Sequence, residues 1–235
     1  MMQESTEDLT TEIIKNSKEI MNLLKRDNIE VKEIDNYHLY PIADNDTPKL
    51  SADRLEYSLS NALFTYRVLD TEKIKEIYDE INIQKNEEDE IELGFKTKKI
   101  ARSFVKVTSR LSVIYREDRT RYSMQFIADI LKKLNEENKL SKKDLYELKE
   151  SEIIDIIESS KYNNIFNIWR KSKRVKTSEE EPKDVYYVHH GAKIRYIDPL
   201  FNGERISKCC KIANKMIESN LSYNMDNYVY LDFDF

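Results

Sequence analysis

The stretch 40–61, YPIADNDTPKLSADRLEYSLSN, decides how this chain is read. It joins a proline-containing loop to a helix expected from about Ser51 to Leu69, whose buried stripe would be Leu55, Leu59, Ala62, Leu63 and Tyr66. Asp53, Glu56 and Tyr57 fall on one face of that helix. An acidic residue in a first turn is favoured by the helix macrodipole, and Arg54 and Glu56 then need only solvent. The same carboxylate, held rigidly at the rim of a pocket, is also the hard oxygen ligand that divalent cations accept. Arg54 points elsewhere on the helix, as a partner for a carboxylate or a phosphate.

Upstream, Ser5-Thr6-Glu7-Asp8 reads as a capping box. Ile13, Ile14, Ile20, Met21, Leu23 and Leu24 follow at helical spacing, with a break expected at Asn16-Ser17. Residues 27–49 read as a long ordered loop, too rich in Tyr37, Tyr40, Pro41, Ile42 and Pro48 for disorder. Downstream, Asp70-Thr71 caps a short helix to Ile81, and residues 84–92, QKNEEDEIE, read as a solvated acidic turn and a site of flexible excursion. Lys96–Arg116 and Arg119–Glu137 are expected as long amphipathic helices. Shorter helical pieces follow at Glu152–Ser159, capped by Ser151, and at Asn163–Lys171. Near Pro182 the character changes. The runs 185–188 and 193–197, joined by His189-His190-Gly191-Ala192, read as a β-hairpin, Asn202-Gly203 as a turn, and Ile206–Glu218 as a last helix. The expected class is mainly α, with a helical region over 1–180 and a small α+β appendage over 181–235.

Composition supports this. Only 3 Gly and 4 Pro among 235 residues favour helices over a loop-rich β protein. The net charge of -5 offers no bulk attraction to nucleic acid or an anionic membrane. Cys209 and Cys210 are adjacent and have no third cysteine to pair with, which argues against a disulfide framework and for a reducing, cytoplasmic setting. No apolar run approaches membrane-spanning length, and no secretory leader is expected. The richness in Lys, Ile, Asn, Glu and Tyr suits an AT-rich bacterial genome.

The run Asp53-Arg54 followed by Glu56-Tyr57 resembles the last metal-ligand segment of HD-domain phosphohydrolases. Gln3-Glu4-Ser5-Thr6-Glu7 and Lys193–Leu200 resemble further segments of a bacterial branch of that family. The resemblance implies a helical bundle in which a His, a His-Asp pair and a distant Asp hold one or two divalent metals (Mn²⁺, Mg²⁺ or iron), which activate water for phosphoester hydrolysis. Only Asp53 carries over; the one upstream histidine, His38, is followed by Leu39. Lys49, Arg54, Arg67 and His38 would be the phosphate-side candidates. The implied partner is a nucleotide or other phosphorylated small molecule. The chain is then expected to be the C-terminal portion of such an enzyme and inactive by itself, completed by the missing N-terminal half or by self-association. The alternative is a non-catalytic interaction or regulatory module.

Other candidates carry bland readings beside functional ones. His189 and His190 are neighbours, and successive side chains of an extended strand point apart. Cys209 and Cys210 lack the spacing of a zinc or redox pair. The basic run 170–176, RKSKRVK, beside Trp169 suits a phosphate, nucleotide or RNA clamp, but Glu179-Glu180-Glu181 follows at once and offsets it. Tyr115, Tyr122, Phe126, Tyr162, Phe166 and Trp169 read as core rather than as a base-stacking platform, so nucleic acid is not the expected partner.

Overall fold

The computed structural model describes residues 9–36 and 39–235. The predicted capping box and His38 lie outside them. Helix α1 (Thr10–Asn16) gives way to α2 (Lys18–Asp27) at Ser17, whose hydroxyl accepts from the Ile20 amide at 3.3 Å, so the expected break is an N-cap. Of the predicted apolar stripe only Ile14 and Leu24 are buried, while Ile13 and Leu23 are exposed. A 3₁₀ turn (Val31–Glu33) follows. The loop before α3 (Ala52–Ser60) then caps that helix. Ser51 Oγ accepts from the Arg54 amide, and the carbonyls of Ile42 and Ala43 take the amides of Ala52 and Asp53. The helix expected to reach Leu69 stops short: a π turn (Asn61–Thr65) ends it, and Arg67 turns the chain at φ 51°.

Helix α4 (Thr71–Asp79), capped by Asp70, leads into β1 (Ile81–Lys85) and β2 (Ile91–Phe95). The segment read as a solvated acidic turn is the tip of an antiparallel hairpin: 86–90 form the turn, with 87–90 exposed, between strands paired from Ile81↔Phe95 to Lys85↔Ile91. The Asn86 side chain accepts from the amides of Glu88 and Glu90 and closes the turn. Helices α5 (Lys98–Ile114) and α6 (Asp118–Glu136) follow as expected, then α7 (Asp144–Glu147), α8 (Glu150–Glu158) and α9 (Asn163–Lys171). Short strands β3 (Lys176–Ser178) and β4 (Tyr187–Val188) precede β5 (Leu200–Phe201) and β6 (Glu204–Arg205). Helix α10 (Ile206–Cys209) breaks at Cys210 before α11 (Lys211–Leu221), and β7 (Tyr228–Tyr230) ends the regular structure.

The hairpin expected between 185–188 and 193–197 does not form. β4 pairs instead with β7, Tyr187↔Tyr230 and Val188↔Val229, and β3 takes the other edge of β7. This buries Val188 and Val229 in an apolar cluster. Asn202 (φ 53°) and Gly203 (φ 78°) make the tight turn between β5 and β6, as expected of that dipeptide.

By proximity of Cα atoms the chain divides into two compact units, each built from two stretches. The first, Met1–Val107 with Ile197–Lys215, holds the sheet β1-β2-β5-β6, in which β2 and β5 run parallel. Its buried core includes Leu50, Leu59, Ile77, Phe95, Phe104 and Leu200. The second, Thr108–Tyr196 with Met216–Phe235, holds the sheet β3-β7-β4 and the cluster of Tyr122, Phe126, Ile130, Leu134, Phe166 and Phe233. The composition change near Pro182 falls inside this second unit. No helix among the described residues is long and apolar enough to cross a membrane.

Candidate functional site

Asp53 sits in the first turn of α3 with an exposed side chain. Arg54 faces the preceding loop. Its Nη1 donates to Asn45 Oδ1 at 3.0 Å and to the Lys49 carbonyl at 2.7 Å, and its Nη2 donates to the Asn45 carbonyl. Lys49 Nζ lies 2.8 Å from Glu88 Oε2 and 2.6 Å from Glu90 Oε2, and these two bonds raise its pKa while Lys49 lowers that of Glu90. Both cations are thus engaged in tying the loop to α3 and to the β1–β2 turn. Arg67 is exposed beyond the π turn, at the opposite end of the helical segment. The fold brings Lys49 and Arg54 together but not Arg67. Among the described residues no three His, Cys, Asp or Glu side chains gather as a metal site. A divalent cation, whose hydration shell must be replaced by several ligands, would need partners for Asp53 beyond these.

The two histidines diverge. His189 Nε2 meets Asp226 Oδ1 at 2.9 Å, with its ring stacked on Tyr228 at 3.9 Å. His190 meets the Gly191 carbonyl at 2.8 Å and Gln125 Oε1 at 3.1 Å. Cys209 is partly buried and Cys210 buried, both as free thiols, and burial raises the pKa of Cys209.

The side chains that do converge lie in the second unit, around Trp169. A cleft of about 210 Å³ is lined by Arg119 and Ser123 of α6, Trp169 and Arg170 of α9, and Ser172, Val175 and Leu231. Trp169 is fixed on three sides: its Nε1 donates to Ser123 Oγ at 3.1 Å, and its ring packs on Phe126 at 5.7 Å and on Phe166 at 5.5 Å. Ser172 Oγ donates to the Ile168 carbonyl at 2.7 Å and closes the end of α9. Arg170 pairs with Glu158 at the surface, at 2.5 Å. Arg119 makes no hydrogen bond or ion pair among the described residues, and neither do Lys171, Lys173 and Arg174 in the adjoining chain. Glu181, from the acidic run expected to offset this charge, accepts from the Tyr187 hydroxyl at 2.7 Å, while Lys176 is paired with Asp232. The cleft thus sets two guanidinium groups and two hydroxyls beside an indole edge. Sequence reading found Trp169 and the basic run but missed Arg119 and Ser123, whose four-residue spacing on α6 was the available signal.

Compared with protein-family models, with curated proteins and with solved structures, the chain finds no match in any of the three.

Proposed function

We propose that this chain is a non-catalytic helical binding module whose ligand is a nucleotide or another phosphorylated small molecule, taken at the Trp169 cleft. The observation that carries this reading is the convergence of Arg119, Arg170 and two serine hydroxyls on one cleft beside an aromatic edge. Guanidinium groups match phosphate oxygens in a fork of donors, and the Ser123 hydroxyl, which accepts from Trp169 Nε1, keeps its proton for a further oxygen. Trp169 is the only tryptophan in the chain, so its fluorescence reports on this cleft alone. Titration with inorganic phosphate, AMP and adenosine at low salt tests the reading. A saturable emission change with AMP and phosphate, weakened by added salt, supports it. Equal responses to AMP and adenosine, or none to either, overturn it.

A second reading keeps the resemblance at Asp53–Tyr57 and makes the chain the C-terminal portion of an HD-type metal-dependent phosphohydrolase. Its support from the fold is an Asp53 carboxylate exposed in a helical first turn. Any metal site would then need ligands beyond those the described residues gather. Mn²⁺-dependent hydrolysis of a generic phosphoester, lost on Asp53→Ala, would favour it over a pure binding module.

A further inference from the structure

Three arginines of this protein are almost fully buried: Arg116, Arg121 and Arg205. Arg205 is paired with Glu92 and Glu87, and Arg121 with Asp118. Arg116 is different. It is 1% exposed, in the turn between α5 and α6, and no carboxylate among the described residues is paired with it. Its Nε donates to the Ser112 carbonyl at 3.0 Å, and its Nη2 donates to the Asn220 carbonyl at 2.7 Å and to Asn220 Oδ1. Ser112 and Asn220 belong to the last turns of α5 and α11, so the guanidinium caps two helix C-termini and borrows their partial negative charge. The Tyr223 ring lies 5.6 Å from its Cζ. Burial nevertheless lowers its pKa, with only Tyr223 acting against it.

Two donors at this spot have no acceptor among the described residues: Arg116 Nη1 and Asn220 Nδ2. Asn220 is itself 2% exposed. Its amide cannot be turned round to relieve the problem, because Nδ2 would then face the Arg116 Nη2 donor. A buried cation without a counter-charge, next to a buried amide donor without a partner, describes half of an ion site.

We infer that a chloride-sized monovalent anion binds against Arg116 Nη1 and Asn220 Nδ2. One negative charge neutralises the guanidinium and satisfies both donors. Full burial favours a small, weakly hydrated ion over phosphate, whose second charge has no partner there. This site shares no residue with the Trp169 cleft and stands or falls separately.

Thermal unfolding in sodium chloride and in sodium gluconate of equal ionic strength tests the inference. With chloride at about ten times its Kd, the midpoint should lie about 3–6 °C higher than in gluconate. Asn220→Asp places a carboxylate beside Arg116 and removes the orphan Nδ2. That variant should lose the chloride–gluconate difference. If the natural protein unfolds at the same temperature in both salts, or if Asn220→Asp keeps the full difference, the inference fails. Bromide soaked into crystals of the unaltered protein gives a check independent of any variant's folding. An anomalous peak within hydrogen-bond distance of Arg116 Nη1 supports the site, and an ordered water in that place overturns it.

Discussion

Arg205 grips Glu92 with both ends of its guanidinium: Nη1 to Oε1 at 2.7 Å and Nη2 to Oε2 at 2.9 Å. The two residues stand 113 positions apart in the chain, and both are buried. Glu92 also accepts from the Leu50 amide at 2.9 Å and from Asn86 Nδ2 at 3.3 Å, while Arg205 reaches the Asp198 carbonyl at 3.0 Å. One ion pair thereby fastens the hairpin, the loop before α3 and the β5–β6 turn. Removing Arg205 strands the Glu92 charge in a low-dielectric interior, whereas removing Glu92 leaves Arg205 with Glu87. Arg205→Ala is expected to cost about 3–5 kcal/mol and Glu92→Ala less, measured by urea unfolding. A cost below about 1 kcal/mol would mean that the stranded charge reaches water.

Gly94 is required by a close approach. A Cβ there would lie 2.8 Å from the Leu200 carbonyl, which is backbone of the parallel neighbour β5, and 2.5 Å from Gln84 Nε2. Gln84 can swing away, but the strand cannot without breaking its pairing. Gly94→Ala should therefore destabilise by about 1–3 kcal/mol, the usual range for overpacking. At Gly191 a Cβ would find its nearest neighbour at 3.8 Å, so Gly191→Ala should be close to neutral in the same melt.

Glu137 gathers Lys139, the Tyr162 hydroxyl and Lys161, in that order of effect, and its pKa falls to about 2. A depressed carboxylate contributes stability that is complete above its unfolded pKa of about 4.3 and is lost as pH falls through the folded value. The melting temperature should drop across the interval from about pH 4.3 to about 2. Glu137→Gln should start lower at neutral pH and fall less steeply through that interval. Identical slopes for the two proteins would show that other carboxylates govern the acid limb.

Arg119 lines the cleft and has no competing partner among the described residues, so its loss should weaken ligand rather than fold. Arg119→Ala should reduce AMP affinity about 10- to 100-fold, the range of one charge-assisted hydrogen bond, with little change in unfolding midpoint. Arg170→Ala should cost less, because Arg170 must first release Glu158. An Arg119→Ala protein that binds AMP as well as the natural one would remove the cleft from consideration.

Much of the helical framework was legible. The stripe Tyr122, Phe126, Ile130 and Leu134 repeats every four residues, and all four are buried on α6. Asn16-Ser17 announced a break between helices, and Asn202-Gly203 a tight turn. In the acidic stretch 84–92 the solvated turn was legible and the burial of Glu92 was not, because Glu92 looks like its solvated neighbours. Nothing near it in sequence reveals that Arg205 will neutralise it. Tyr186–Val188 misled for a related reason. Its residues are those of a strand, but strand character does not name a partner, and the pairing went to β7, distant in the chain, rather than to the nearer run.

Sequence alone determined which segments coil, where several of them begin, and that aromatic side chains would fill the interior, because these depend on neighbours within one or two helical turns. The tertiary structure alone decided which strands pair, which charges go inside, and that Arg119 faces the same cleft as Trp169. Those outcomes depend on which edges and charges meet once distant stretches are brought together.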